Sequence, residues 1–388
     1  MNILVAGFPY VREEYFATFR KYHDRDAIFF LLPSRWEAKG GKVVFYPPSD
    51  KNILTTKAFF YHSNYPLIGG LLKGWMPLFP LVLMQNLRKV SLVYSCSEPT
   101  LLTTVYFGFW TKLFGRKHVL FSWENIAYEK KFHGIKLMLK RLIVNLNLLF
   151  SDGVICGSTK GKEIFSRLTS KPIAVIPMSG VDTKLFSPIS GPKEFQGINL
   201  EDKIVYTFAG AIGYRKGIHL FLEAFSKIAD QLPDAYCIIA GSGEYEREID
   251  RQIAHSSLKE KIMRIPWIKH QELPKLLAIS DIFVYPSLPY GGWEEQFGYS
   301  MAEASLMELP IVATNSGSIR EIVIDGVTGI LVKPGSTDEL AQAIIYLAKN
   351  SDLRRQMGQA GRHHIMSNFS NQIVAQKFYN FFERITSA

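Results

Sequence analysis

The chain has 388 residues, is 47% apolar and 21% charged, and carries a formal charge of +10. That is chain enough for two domains with separate cores, and the composition excludes a disordered or low-complexity protein. Three cysteines, Cys96, Cys156 and Cys237, exclude a disulfide framework and fit buried thiols of a reducing, cytoplasmic compartment.

The N-terminus, MNILVAGFPY, reads as a short apolar strand with no basic segment before it and no cleavage site after it, so export is not expected. Further strands are predicted at Ala27–Leu32, Lys42–Phe45, Leu92–Ser95, His118–Phe121, Gly153–Cys156 and Ile173–Ile176, with helices between several of them. Tyr10 and Arg12 fall in the first strand–helix loop, and Glu124 and Asn125 follow the predicted strand that ends at Phe121. Asp24-Arg25-Asp26 has a D-x-D form but precedes a strand, so it reads as a surface turn, and no metal site is expected. The most apolar window, Trp75 to Leu87, holds Pro77 and Pro80 and is too short to span a membrane.

Residues 1–200 carry 26 Lys/Arg against 13 Asp/Glu, whereas the rest carry 19 against 22. The excess is concentrated in Lys112, Arg116, Lys117, Lys130, Lys131, Lys136, Lys140 and Arg141, set among Phe, Trp and Leu. Such a face suits an anionic membrane or an acidic acceptor, and equally a plain solvated surface. Nucleic acid is a poorer partner, because no recognition module accompanies the charge.

A Ser/Pro/Gly-rich linker over Ser187 to Asp202 leads to a second set of strands: Lys203–Phe208, Ala235–Ala240, Ile262–Ile265, Ile282–Tyr285, Ile311–Ala313 and Gly329–Val332. Two doubly wound α/β domains follow from this alternation, with ligands at the carboxyl ends of their strands. Gly210 to Gly217 follows the first of these strands and opens a helix, with Arg215 and Lys216 at its start. Small residues there let a backbone approach a ligand, and two cations neutralise a diphosphate. Gly241 lies in the next strand-end turn and Ile268 in the one after. Finally, Glu295 and Glu303 bracket Phe297, Gly298, Tyr299 and Ser300 at a helix start, where free N–H groups attract a phosphate and a carboxylate on either side accepts from flanking hydroxyls.

The order Pro286-Ser287, Glu295-Gln296-Phe297-Gly298, Glu303-Ala304, Leu309 to Thr314, Gly317 to Val323, Asp325-Gly326 and Thr328 to Val332 resembles the donor-binding signature of the retaining glycosyltransferases of family 4. Ile176 to Asp182 with Phe186 and Pro188 resembles that family's element ahead of the interdomain linker, and Lys216 matches its phosphate-binding lysine. Ala211 stands where the family places an arginine, and Arg215 is the substitute.

The resemblance implies the GT-B fold: an acceptor-binding Rossmann-like domain over residues 1–190, a donor-binding one over 191–368 facing it across a cleft, and a last helix over 369–388 crossing back. It implies transfer of a sugar from a UDP- or GDP-sugar to a glycan or lipid-linked acceptor, with retention of configuration, no metal and no further cofactor. Glu295, Lys216 and Arg215 are then the catalytic candidates. Gly210, Gly241, Ile268, Phe297, Gly298, Tyr299, Ser300 and Glu303 are the donor-binding ones, and Glu124, Asn125, Tyr10 and Arg12 those on the acceptor side. A nucleotide-sugar epimerase of the same fold, or a nucleotide-sugar-binding protein without catalysis, are the competing readings.

Overall fold

The computed structural model describes residues 1–11, 15–22, 24–37, 44–61 and 70–387. By contacts the chain divides into two units, Met1–Gly180 with Asn371–Ala388, and Val181–Ser370.

In the first unit the strands are β1 (Ile3–Ala6), β2 (Ile28–Pro33), β3 (Trp36–Glu37), β4 (Val44–Phe45), β5 (Ile53–Thr56), β6 (Leu92–Ser95), β7 (Lys117–Ser122), β8 (Gly153–Cys156) and β9 (Ile173–Val175). Seven of them form a parallel sheet in the order β5-β2-β1-β6-β7-β8-β9. All four residues of β1, β6 and β8 are buried, as continuous apolar runs in a sheet covered on both faces require. The helices are α1 (Phe16–Arg20), α2 (Phe79–Gln85), α3 (Leu102–Leu113), α4 (Tyr128–Lys131), α5 (Gly134–Leu149) and α6 (Thr159–Ser166).

The second unit opens with a hairpin, β10 (Glu194–Phe195) and β11 (Ile198–Asn199). Its parallel sheet contains β12 (Ile204–Ala209), β13 (Ala235–Ala240), β14 (Ile262–Ile265), β15 (Ile282–Tyr285), β16 (Ile311–Thr314) and β17 (Gly329–Val332), in the order β14-β13-β12-β15-β16-β17. Around it lie α7 (Ile218–Gln231), α8 (Glu246–His255), α9 (Leu273–Ala278), α10 (Tyr299–Leu306), α11 (Ile319–Ile322), α12 (Thr337–Lys349) and α13 (Ser351–Phe369). Strand order reverses between β12 and β15, and an open α/β sheet of this kind leaves a crevice at the carboxyl ends of the strands flanking that reversal.

The last helix, α14 (Asn371–Ser387), returns to the first unit. Its aromatic face fills a core there: the Phe378 ring lies 5.1 Å from Phe19 and 5.5 Å from Tyr94, and Phe382 is 5.5 Å from Tyr94. Thr18 ties both chain crossings of this unit, donating to Asn371 Oδ1 at 2.7 Å and accepting from the Gly180 N–H at 2.7 Å.

Several details differ from the sequence reading. The stretch expected as a linker is ordered within the second unit: it forms the β10–β11 hairpin, buries Leu200, and anchors Lys193 on Asp281 at 2.5 Å. The first unit's edge strand β5 was not anticipated. Of the strand expected over Lys42–Phe45, Val44–Phe45 pairs with Trp36–Glu37 outside the main sheet, and positions 42–43 lie outside the described residues. No helix among the described residues is long and apolar enough to cross a membrane.

Candidate functional site

Three loops of the second unit meet at the strand-order reversal. The loop after β12 carries Gly210, whose φ of +154° suits glycine, and a Cβ added there would lie 4.0 Å from Ser300 Oγ. The loop after β13 begins at Gly241, where a Cβ would stand 1.8 Å from the Gly210 carbonyl oxygen, so only a bare backbone fits between these two turns. The third loop runs from β15 to α10 and contains Glu295.

Arg215 and Lys216 sit in a 3-10 turn, Tyr214–Lys216, just ahead of α7, with Gly217 in the left-handed conformation as the helix cap. Lys216 is buried and turned onto the third loop, its ammonium 2.5 Å from Glu295 Oε2. It also bonds the Tyr285 hydroxyl, which itself donates to Glu295 Oε2 at 2.8 Å. Ser287 Oγ reaches the same oxygen at 3.4 Å. Burial pulls the Lys216 ammonium below the ordinary lysine pKa, and the carboxylate of Glu295 opposes that pull. The Tyr285 hydroxyl is pushed well above its ordinary value by burial and by the same carboxylate.

Arg215 lies over the face of Trp293, its guanidinium carbon 3.6 Å from the ring centroid. Its Nη1 is buried and has no hydrogen-bond partner among the described residues. A buried guanidinium N–H without an acceptor is costly, and an anionic ligand satisfies it.

Gly298, at φ +87°, is the cap residue of α10, so the helix begins right after the turn that carries Glu295. Glu303, in the second turn, accepts from His270 Nε2 at 2.8 Å, and that imidazole packs edge-on against Phe186 at 5.2 Å. Gly317 backs the Glu295 main chain so closely that a Cβ would fall 2.1 Å from the Glu295 carbonyl oxygen, which also accepts from the Ser318 N–H at 2.9 Å.

The structure therefore brings Lys216, Glu295, Arg215, Gly210, Ser300, Gly241 and Gly298 together at one crevice. Phe297 is different: it is buried against Tyr299 at 4.6 Å and Phe369 at 5.3 Å, so it fixes the turn from inside. Ile268 is half-buried in the loop after β14, next to the exposed Trp267. Sequence reasoning missed Tyr285, Trp293 and His270. Tyr285 sits one position before the quoted Pro286-Ser287 and Trp293 two before Glu295, but nothing local says that their rings face Lys216 and Arg215.

The acceptor-side candidates fare less well. Tyr10 is wholly buried and its hydroxyl donates to the Met178 carbonyl at 2.7 Å, so it is a core residue of the first unit, not a ligand contact. Arg12 lies outside the described residues. Glu124 is buried, accepts from the Asn125 and Ile126 N–H groups at 3.2 Å each, and pairs with Lys131 at 2.8 Å. Those bonds make it the cap of its own turn. Asn125 is buried beside it. The neighbouring Glu98 accepts from Ser122 Oγ at 2.9 Å and from the Trp123 N–H at 2.8 Å, and burial together with Glu124 pushes its carboxyl up to about 7. Asp26 of the D-x-D turn is exposed and paired with Lys51 at 3.1 Å.

Residues 191–364 match the family described as Glycosyl transferases group 1, a stretch that lies within the second unit. Among curated relatives, an alpha-D-kanosaminyltransferase of Streptomyces kanamyceticus is 26% identical over 41% of this chain and 40% of its own length. A GDP-mannose-dependent monoacylated alpha-(1-6)-phosphatidylinositol monomannoside mannosyltransferase of Corynebacterium glutamicum is 28% identical over 53% of this chain and 55% of its own. The matches thus span about half the length of these relatives. In overall structure the chain resembles Anabaena Alr3699/HepE, solved in complex with UDP, with a TM-score of 0.76 at 21% identity, covering 99% of this chain and all of that one. Sucrose-phosphate synthase from Thermosynechococcus elongatus gives a TM-score of 0.73 at 17% identity over the whole of both chains. The fold is GT-B, with two Rossmann-like α/β units.

Proposed function

We propose that this protein is a retaining, metal-independent glycosyltransferase that moves a sugar from a UDP- or GDP-sugar to a hydroxyl of a glycan or lipid-linked acceptor in the cytoplasm. The observation that carries this reading is the buried Lys216–Glu295 pair beside the unpartnered Arg215 Nη1, at the amino end of α10 and inside the stretch that matches the family.

As the bond between the anomeric carbon and the phosphate oxygen breaks, negative charge builds on the departing diphosphate. In this reading Lys216, Arg215 and the amino end of α10 stabilise that charge, the two cations already oriented by Glu295, Tyr285 and Trp293. The acceptor oxygen bonds the same face of the anomeric carbon, and its proton passes to the leaving phosphate oxygen. Glu295 orients the sugar and Glu303, held by His270, meets the ribose. The missing arginine at position 211 is made good by Arg215, whose free Nη1 supplies the second phosphate contact. Both nucleotide classes stay in the reading: the Anabaena protein was solved with UDP, and the Corynebacterium enzyme is named for GDP-mannose.

A thermal-shift screen across UDP- and GDP-sugars identifies the donor, and incubation with that labelled donor and extracted glycolipids or glycans identifies the reaction. Label in an acceptor is expected, with the donor's anomeric configuration by NMR and full activity in EDTA. Label in an epimer of the donor establishes the epimerase instead, and a thermal shift without turnover establishes a binding protein. An inverted product or a strict Mn²⁺ or Mg²⁺ requirement overturns the retaining, metal-independent chemistry.

A further inference from the structure

Helix α5 of the first unit has two apolar faces. Its inner face buries Ile143, Val144, Asn147 and Leu148 against the sheet. At about 100° per residue, Ile135, Met138, Leu139, Leu142 and Leu149 fall within an arc of roughly 100° on the opposite side. These five are 75%, 68%, 48%, 55% and 65% exposed. A surface helix of a globular domain carries polar residues on that side, so this face is exceptional. It continues onto the neighbouring α3, where Phe109 and Leu113 are exposed and the Phe109 ring lies 5.7 Å from Phe150 at the end of α5.

Charge identifies what covers it. Between Leu102 and Leu149 the sequence holds eight Lys/Arg and two Asp/Glu, and α5 itself has no acidic residue. Both acids are already paired, Glu124 with Lys131 and Glu129 with Arg141, and Lys112 is paired with Asp152. Lys136 on α5 and Lys130 on the preceding α4 remain exposed without a carboxylate partner among the described residues. A second copy of the chain would set these cations against their own kind. An anionic bilayer matches both features: its headgroups meet the lysines and its acyl boundary takes the apolar arc of a helix lying in the interface.

We propose that α5, with the adjoining residues of α3, is an interfacial helix that docks the first unit on an anionic membrane. The surface differs from the one that sequence alone suggests. Phe107 is wholly buried in the core, and Trp110 and Phe114 pack against that core, so the aromatic residues of α3 contribute through Phe109 alone. Docking stands on this surface by itself. That it brings a lipid-linked acceptor to the protein rests on the transfer reading above.

The test uses the full chain and vesicles of phosphatidylcholine with or without phosphatidylglycerol, at low and high salt. Wild type is expected to co-sediment with the anionic vesicles at least about tenfold more strongly than with neutral ones, and salt at about 0.5 M is expected to weaken that binding. The exposed-site double variant Met138→Glu/Leu142→Glu is expected to lose it at least about tenfold while its melting temperature and donor binding stay unchanged. A Leu142→Cys variant, labelled with an environment-sensitive dye, gives a second readout that does not depend on the double variant folding. The three native cysteines are buried, so the label is selective, and its emission should shift to the blue on anionic vesicles. No partition into any vesicle, or unaltered partition of the double variant, overturns the proposal. So does a wild-type dimer that the double variant dissociates, because the occupant is then a second copy. Intact donor binding alongside failed docking leaves the transfer reading standing, which separates the two.

Discussion

Removing the ammonium of Lys216 should destabilise the second unit as well as abolish transfer. Its side chain is 9% exposed and that of Glu295 is 8%, with 2.5 Å between Nζ and Oε2. Breaking a buried pair by deleting one partner strands the other charge and typically costs about 3–5 kcal/mol. The Tyr285 hydroxyl at 2.8 Å and Ser287 Oγ at 3.4 Å still solvate Glu295, so the lower end, about 3 kcal/mol, is expected for Lys216→Met. In a unit of this size that lowers Tm by about 6–12 °C. Replacing both charges in Lys216→Met/Glu295→Gln leaves no stranded ion, so the double variant should melt above Lys216→Met, with a coupling energy of about 2 kcal/mol. Thermal unfolding of the donor-free protein, followed by hydrogen exchange in the second unit, measures all four corners of the cycle. Turnover should fall by about a hundredfold or more in Lys216→Met and in the double variant, because both lose positive charge placed at the leaving diphosphate, and Glu295→Gln should lose turnover through the sugar and the Lys216 ammonium that its carboxylate orients. A Lys216→Met protein that melts like wild type, or a double variant that melts below both singles, refutes the buried coupled pair.

Wild-type transfer should decline on the alkaline side below the ordinary lysine value of 10.5, because burial lowers the pKa of Lys216; a pH–rate profile unchanged up to that value contradicts the role given to its ammonium. Glu98 has its carboxyl raised from 4.5 to about 7, so the folded state holds a proton that the unfolded state has already released, and stability should fall by on the order of 3 kcal/mol as pH rises from about 4.5 to 7. Urea unfolding of Glu98→Gln should lack that slope, and a variant with the wild-type slope assigns it to another group. Gly317→Ala meets both a φ of +58° and the Glu295 carbonyl oxygen, so it should cost about 2 kcal/mol or more and displace Glu295; unchanged melting and turnover would show that the loop shifts freely. Tyr10→Phe should lose about 1 kcal/mol with its buried bond to Met178 and leave the KM for acceptor unchanged, whereas a raised KM returns Tyr10 to the acceptor site.

The parallel architecture was legible because its signals are local: short β-branched runs, helical periodicity between them, and glycines where the chain turns. The grouping of Lys216, Glu295 and Gly298 in the candidate site was legible for the same reason, since each stands within a few positions of a helix start among small residues. What stayed hidden depends on residues distant in sequence. Lys193 to Leu200 has a linker's composition, yet its hairpin is ordered by Asp281, which lies 88 positions from Lys193. Glu124 looked available for a ligand until Lys131 and two N–H groups closed around it, and Tyr10 until its hydroxyl met Met178. Tyr285, Trp293 and His270 joined the candidate site only when folding placed them against Lys216, Arg215 and Glu303. Helix α5 shows the division most plainly. Its sequence makes it apolar on nearly every side, but only the packing of the first unit decides that one side is buried and the other left to meet something else, because burial is a property of neighbours and not of the helix.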